Sequence, residues 1–286
     1  MMKKAAKRVL TLLLAAALLL ACGAGTAFAW TREYPSVRVY GDGLLIGRAY
    51  RYGDVVYLSV KDVCAFLGLE SEESYDRTTH EVVAEAEKLS LHAQTGISYV
   101  TVNSRYLLNL KGILIVEGRP YFPVELIEKI FSLHAGLSPE KDRLDLNLQE
   151  AEILQGGENY YEETFGSDNI LWLSRLISAE AAGQPFVGMV GVGNVVLNRV
   201  ASDRFPNTIF DVIFDTKNGV QFAPVYDGSI YENATKLSVI AACVALEGYS
   251  TVGDSLFFIA PALADDAWLK EYYVYVTSIG GHDFYM

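Results

Sequence analysis

The hydrophobic pattern in the middle of the chain predicts an amphipathic helix that carries an acid on its apolar face. Positions i, i+3, i+4 and i+7 of this segment are Leu173, Leu176, Ile177 and Glu180. Because a carboxylate is costly to bury, the pKa of Glu180 should be raised, as a general acid near neutral pH requires. Two alternatives stay open from the residues alone: the side chain turns into solvent at the helix end, or it pairs with an arginine such as Arg199.

A helix stop at Gly183-Gln184-Pro185 and a restart follow, and the pattern predicts a second helix over residues 186–200. Glycine is unfavourable inside a helix, so its repeated use here indicates close approach of a second helix, the one with Glu180; the positions are Gly188, Gly191 and Gly193. Asn194 and Asn198 lie one turn apart on an otherwise small or apolar face. They either bridge neighbouring backbone or line a cleft and bond a polar substrate.

Shorter elements complete the C-terminal part. We expect a short helix near residues 205–209 with Asn207 or Thr208 as its cap, and a rigid aromatic loop or short strand over 219–228. A long helix should span about 233–248. Aromatic residues are dense from 256 to 285, which suits either sugar binding or a packed core.

The N-terminal part shows short alternating strands and an internal repeat. Residues 56–69 and 120–133 each predict a short strand, a helix of about ten residues and a polar turn. Ser59 should cap the first helix, and Pro123 suits the first turn of the second. Further strands are predicted at 81–85, 97–103, 106–110 and 143–147.

Composition supports globular domains and argues against a nucleic-acid partner. Of the 286 residues 51% are hydrophobic and 20% charged, and the formal net charge is −12. Residues 149–169 are acidic and lack periodicity, so we interpret them as a linker between domains at 34–148 and 170–286. The sequence makes no prediction for the oligomeric state of the protein.

The first 29 residues predict a secretory signal peptide. A basic start containing Lys3 and Arg8 precedes an apolar run, and Ala27-Phe28-Ala29 is typical of a cleavage site. We therefore expect a secreted or wall-associated protein. The alternative is a lipid anchor at Cys22, whose preceding residues resemble a lipobox. No later stretch is long and apolar enough to span a membrane.

The sequence predicts no cofactor and no metal site. Beyond the leader only Cys64 and Cys243 remain, each in an apolar helical pattern typical of a separate buried thiol. The histidines are scattered along the chain rather than clustered.

The N-terminal segment resembles the copper-amine-oxidase-like N-terminal domain of many exported bacterial proteins. The residues that carry this resemblance are Tyr121-Phe122-Pro123-Val124 and the strand with its turn at Val100–Asn103. The resemblance implies an accessory, wall-associating module or a simple folded spacer, without copper chemistry.

Residues 170–286 resemble the SleB-type cell-wall hydrolases, which include the spore-cortex-lytic enzymes. The resemblance is carried by Leu173-x-x-Leu176-Ile177-x-Ala179-Glu180-Ala181-x-Gly183, Gly188-x-Val190-x-Val192, Val195-Val196-Leu197-Asn198-Arg199-Val200, Phe205-Pro206, Gln221-Phe222-x-Pro224 and Ile279-Gly280-Gly281-His282-x-Phe284. It departs from the family pattern at Gln184, Ala223 and Ala260, which puts in doubt sugar contacts from positions 223 and 260.

The resemblance implies an α+β chain whose C-terminal domain has a mainly helical, lysozyme-like fold and cleaves peptidoglycan glycan strands. Glu180 aligns with the family's single catalytic glutamate, acting first as acid and then as base in a lytic transglycosylase. The candidate substrate-binding residues are Asn198, Gln221, Phe222, Tyr226 and His282, of which His282 is expected to be structural.

Three other functions remain possible. A glycoside hydrolase would use a second carboxylate, for which Asp203, Asp211, Asp215 and Asp227 are candidates. An amidase would cut the muramyl–peptide bond and generally needs zinc. A wall-binding protein would have no activity at all. The sequence does not distinguish a spore-cortex substrate from a vegetative wall.

Overall fold

The computed structural model describes residues 34–217, 220–262 and 267–286. The predicted signal peptide at 1–29 and the candidate lipidation site Cys22 lie outside the described residues. Within those residues, the search for a helix long and apolar enough to cross a membrane found none.

The N-terminal region is built from two sheets and two helices. Its strands are β1 (Ser36–Gly41), β2 (Leu44–Tyr52), β3 (Val55–Leu58), β4 (Ser71–Tyr75), β5 (Glu81–Ala86), β6 (Leu89–Gln94), β7 (Tyr99–Val102), β8 (Arg105–Leu108), β9 (Leu114–Val116), β10 (Arg119–Pro123), β11 (His134–Leu137) and β12 (Arg143–Asn147). Its helices are α1 (Val60–Phe66) and α2 (Val124–Phe131).

One sheet has the strand order β11-β12-β1-β2-β3-β10-β9, and the other is the antiparallel meander β4-β5-β6-β7-β8. In the first sheet β1 and β12 run parallel. The alternation of buried and exposed residues along β1 and β5 turns one face of each strand to a shared core.

Each copy of the repeat contains a strand followed by a helix, and the two copies are neighbours in space. Strand β3 of the first copy pairs antiparallel with β10 of the second, with Leu58 opposite Phe122. The Ser59 side chain accepts a hydrogen bond from the Asp62 amide, which caps α1 as expected. Pro123 stands at the position before α2, where its missing N–H leaves no helix hydrogen bond unmade.

The C-terminal region is mainly helical. Its helices are α3 (Tyr160–Phe165), α4 (Ser167–Ala181), α5 (Phe186–Ala201), α6 (Ile209–Ile213), α7 (Ala223–Asp227), α8 (Lys236–Leu246) and α9 (Ala267–Tyr272). A 3-10 turn spans Ser229–Tyr231, and a small sheet in the order β13-β15-β14 is formed by β13 (Phe257–Ile259), β14 (Tyr275–Ile279) and β15 (His282–Tyr285).

The predicted apolar stripe of α4 forms the centre of this region. Leu173, Leu176 and Ile177 are completely buried against α5 and α8. Thr208 caps α6 by accepting a hydrogen bond from the Asp211 amide at 3.1 Å, which decides between the two candidate caps. The chain around 219–228 was expected to form a loop or strand, but it contains helix α7, which has a proline in its first turn.

The glycines of α5 permit close contacts, though not all with α4. A Cβ on Gly193 would lie 3.1 Å from Ile177 of α4 and 3.1 Å from Ala245 of α8, which agrees with the prediction. A Cβ on Gly191 would instead lie 2.8 Å from Val252 and 3.1 Å from Phe284. The second helix expected at that position is replaced by a loop and strand β15.

The two regions touch through β7, β8 and the segment that follows β12. Arg105 of β8 forms a two-point ion pair with Glu247 at the end of α8, with N–O distances of 2.9 and 2.5 Å, and both side chains are largely buried. The Tyr106 amide donates to the Tyr161 hydroxyl at 2.7 Å. Cys64 and Cys243 are separate, free and buried, as predicted.

Candidate active site

Glu180 lies in the last turn of α4 and is half-buried. Burial raises its pKa to about 7, with a smaller contribution from the negative charge of Asp227. Among the residues that the structure describes, none forms a hydrogen bond or an ion pair with this carboxyl group. A half-buried acid with this pKa holds a proton near neutral pH and remains within reach of solvent.

The alternative in which Arg199 neutralises Glu180 is wrong. The Arg199 guanidinium is buried and donates to the Leu256 carbonyl oxygen at 2.8 Å and to Oε1 of Gln221 at 3.4 Å. It is surrounded by the rings of Phe205, Phe222 and Phe257 at 4.9 to 5.3 Å. Burial lowers its pKa to about 10. Arg199 therefore braces the aromatic packing behind α5 and does not pair with the acid.

Asp227 is an exposed neighbour of Glu180 whose pKa is shifted in the opposite direction. It ends helix α7, which packs against α4. Its carboxylate accepts hydrogen bonds from the Ser229 amide at 2.9 Å and from the Ser229 hydroxyl at 2.7 Å. These bonds lower the pKa of Asp227. The pKa values of the two acids are thus moved in opposite directions, upward for Glu180 and downward for Asp227.

Sequence reasoning did not select Asp227 from the four candidate aspartates. The local signal was present in Asp227-Gly228-Ser229, since an Asp followed by Gly and Ser favours a turn in which the carboxylate bonds to the backbone. Gly228 adopts the left-handed conformation, with φ of 86°, as such a turn requires. The position beside Glu180 arises only from tertiary packing.

Tyr226 is the sequence-predicted binding residue that the structure leaves open to solvent beside this pair. Its side chain is 85% exposed and precedes Asp227 on α7. A ring that is free of the core can contact a ligand without any rearrangement of the packing.

The remaining candidates are built into the protein. Phe222 is 3% exposed and faces the ring of Phe258 at 6.2 Å. His282 is buried, its ring lies 5.2 Å from that of Phe258, and burial lowers its pKa. The Gln221 side chain accepts from Arg199, as described above. These three residues form a layer of packing rather than an open surface.

Asn198 and Asn194 both hold the loop after α8. The Asn198 amide nitrogen donates to the carbonyl oxygens of Gly253 and Ser255 at 2.8 and 3.0 Å. Asn194 donates to the Tyr249 carbonyl oxygen at 2.7 Å and accepts from the Thr251 amide at 2.9 Å. Of the two interpretations left open by the sequence, the bridge to neighbouring backbone describes both side chains.

Gln184, one of the departures from the family pattern, has a structural role. Its Oε1 accepts a hydrogen bond from the Gly281 amide at 2.7 Å, which ties the end of α4 to the turn between β14 and β15. Within the described parts of the chain, no group of three or more His, Cys, Asp or Glu side chains is placed so that it could hold a metal ion.

The C-terminal part of the chain is similar in sequence to known proteins. Residues 183–285 match the family model described as Cell Wall Hydrolase. The chain is 32% identical over 105 residues to a spore cortex-lytic enzyme of Bacillus cereus, covering 37% of this chain and 39% of that protein. It is 31% identical over 105 residues to a spore cortex-lytic enzyme of Bacillus subtilis, covering 37% and 33% of the two chains. The match thus spans about two fifths of these relatives or less.

A solved structure is also similar. The catalytic domain of the germination-specific lytic transglycosylase SleB from Bacillus anthracis is 31% identical, with a TM-score of 0.40, over 43% of this chain and 98% of that domain. By the match to its family model, the part of the chain from Gly183 to Tyr285 is a member of the cell wall hydrolase family.

Proposed function

We propose that this chain is an exported enzyme that cleaves peptidoglycan glycan strands between N-acetylmuramic acid and N-acetylglucosamine. The observation that carries the proposal is Glu180, an acid that is half-buried and has a pKa of about 7 beside a family-matched domain. The relatives named as spore cortex-lytic enzymes make spore-cortex peptidoglycan the first substrate to assay.

The proposed reaction uses Glu180 twice. Its proton passes to the bridging oxygen as the glycosidic C–O bond breaks, and positive charge develops at the muramyl C1. The resulting carboxylate then accepts the proton of the muramyl 6-hydroxyl, whose oxygen attacks C1 and closes an anhydro ring. Burial and the charge of Asp227 both disfavour the ionised carboxylate, which favours this return of the proton.

Hydrolysis is a second candidate outcome, and the ionised Asp227 favours it. An ionised carboxylate beside a protonated one is the arrangement with which glycosidases activate water or stabilise a cationic transition state. In that case water rather than the 6-hydroxyl would attack C1, and the product would be a reducing sugar.

We further propose that residues 170–286 form the lysozyme-like catalytic domain, joined by a linker at 149–169 to an accessory domain at 34–148 related to the copper-amine-oxidase-like N-terminal domains. Tyr226 is the candidate sugar-contacting residue at the catalytic surface. The other predicted binding residues, Asn198, Gln221, Phe222 and His282, would act by holding that surface in shape. Export through the signal peptide would place the enzyme at the wall.

Product analysis tests the proposal. Purified peptidoglycan is digested with the wild-type protein and with Glu180→Gln, and the soluble products are identified by mass spectrometry. Anhydro-muropeptides that disappear with the variant support the transglycosylase. Reducing muropeptides would indicate hydrolysis, free stem peptides an amidase, and binding without soluble products a wall-binding protein.

A further inference from the structure

A group of aromatic side chains lies beside α4, on the N-terminal side of Glu180. We call it the aromatic shelf, and it consists of Trp172 of α4, Phe210 and Phe214 of α6, and Tyr231 of the 3-10 turn. The Trp172 ring lies 5.5 Å from Phe210, 5.2 Å from Phe214 and 6.1 Å from Tyr231, measured between ring centres. Phe210 and Phe214 stack at 4.5 Å.

The shelf faces water. Phe210 is 45% exposed and Tyr231 is 60% exposed, while Trp172 and Phe214 are half-buried beneath them. Single exposed apolar side chains are common on protein surfaces, but contiguous aromatic rings are a feature of binding sites.

The rings are held in place before any ligand binds. Trp172 is followed on α4 by the fully buried Leu173, and its ring is covered on one side by the Arg175 guanidinium at 5.3 Å. Helix α6 is capped by Thr208 and buries Ile209, Val212 and Ile213 in the core. A surface that is already ordered loses little conformational entropy on binding.

The shelf and the candidate active site lie along the same helix. Trp172 precedes Glu180 by eight residues on the same helix, which corresponds to roughly 12 Å along the axis. The segment from Asp227 to Tyr231 connects the two places as well. Its first residue is electrostatically coupled to Glu180, and its last residue contacts Trp172.

We propose that the aromatic shelf is a sugar-binding subsite that holds a saccharide unit of the glycan strand outside the unit being cleaved. This inference rests on the proposed function, since it names the ligand from the substrate of Glu180. Sugar rings have flat C–H faces that stack on exposed aromatic rings, and the hydroxyl of Tyr231 and the guanidinium of Arg175 offer polar partners at its edge. A polymer held at both places would be aligned along α4.

The test uses the full mature protein and two substrates, long glycan strands and a fragment too short to reach from Glu180 to the shelf. Tyr231→Ala, Phe210→Ala and the double variant are compared with wild type. For long strands we expect the double variant to raise KM about tenfold, which corresponds to about 1.4 kcal/mol, with kcat unchanged. For the fragment we expect the same KM as wild type. Tyr231→Phe, which keeps the ring, should recover most of the affinity lost in Tyr231→Ala.

Tyr52→Ala is the matched control, because Tyr52 is an exposed tyrosine of β2 in the N-terminal region. Equal KM values of the double variant and wild type on long strands would overturn the inference. So would an equal rise in KM on both substrates, or a wild-type dimer that the double variant dissociates, since the shelf would then be an interface between copies. A wild-type protein that releases no glycan products would instead refute the proposed function.

Discussion

Two glutamates, one in each region, have a pKa raised by burial, and they differ in what surrounds them. Glu73 of β4 is almost completely buried, and its carboxylate accepts hydrogen bonds from the Ser59 hydroxyl at 3.1 and 3.4 Å, with Arg119 at 3.9 Å. Glu180 is half-buried, and its electrostatic neighbour is another acid, Asp227. In both cases burial is the largest cause of a raised pKa.

The two glutamates differ in whether neighbouring groups offset the effect of burial on the pKa. The hydroxyl and the guanidinium lower the pKa of Glu73 and partly offset its burial, so that this acid joins α1, β4 and β10. At Glu180 the neighbouring charge acts in the same direction as burial. Burial alone therefore does not distinguish the two glutamates. Glu180 is the candidate acid because it combines burial with solvent access and, among the described residues, has no hydrogen bond or positive charge that offsets its raised pKa.

The largest expected effect is a loss of activity when Glu180 is replaced but not when Glu73 is replaced. Glu180→Gln should lower glycan cleavage about 10²- to 10⁴-fold, because the amide has no proton to donate. Glu73→Gln should keep the activity of the wild type and lower the free energy of unfolding by about 1–2 kcal/mol, since a hydrogen-bonded buried group is altered. Release of soluble muropeptides and denaturant unfolding measure the two effects. Loss of activity in Glu73→Gln with an intact fold would break the comparison.

The next effect concerns the contact between the regions. Arg105→Ala should lower the free energy of unfolding by about 3 kcal/mol, because it leaves the buried carboxylate of Glu247 unpaired. Lys111→Ala removes the exposed ion pair with Glu125 and should cost less than about 1 kcal/mol. Urea unfolding followed by fluorescence gives both values. Equal values for the two variants would show that the interface bond is no more important than a surface pair.

The pH dependence follows from the raised pKa. General-acid activity should fall as the pH rises through about 7, where Glu180 loses its proton. Unfolded glutamate titrates near 4.3, so between these values the native state binds more protons than the unfolded state. The stabilising contribution of the Glu180 proton is therefore complete below about pH 4 and is lost as the pH approaches 7. Unfolding free energies of wild type minus Glu180→Gln, measured from pH 4 to 8, should show this decline.

The smallest expected effect is a shift in the pH dependence of activity when Asp227, the neighbour of Glu180, is replaced. Asp227→Asn removes the negative charge beside Glu180 and should move the alkaline limb of the activity profile to lower pH, because burial alone then raises the pKa. Ser229→Ala is the control that weakens the turn and keeps the charge. An unchanged alkaline limb in Asp227→Asn would mean that the two acids do not interact.

Helices and strand-helix units that are long enough to show their hydrophobic pattern could be predicted from the sequence, whereas short elements could not. Helices α4 and α5 and the repeat of strand and helix carry enough residues to show their periodicity. Helix α7 has five residues and cannot show one. Glu180 was identified because its own helix supplies the apolar face. The partnership with Asp227 and the burial of Phe222 and His282 depend on contacts between distant segments, for which a single sequence contains no signal.

The turn Asp227-Gly228-Ser229 has a consequence for how such an enzyme can change. At its start, the turn places the charge of Asp227 beside Glu180, and at its end it leads to the ring of Tyr231. Gly228 has a positive φ, a backbone angle that residues with a Cβ rarely adopt. Under the two proposals, the reactivity of Glu180 and the binding of the substrate at the aromatic shelf are thus linked through this turn. An engineer who lengthens or replaces this turn would alter both properties together, so selection for a new substrate there would also reset the working pH of the enzyme.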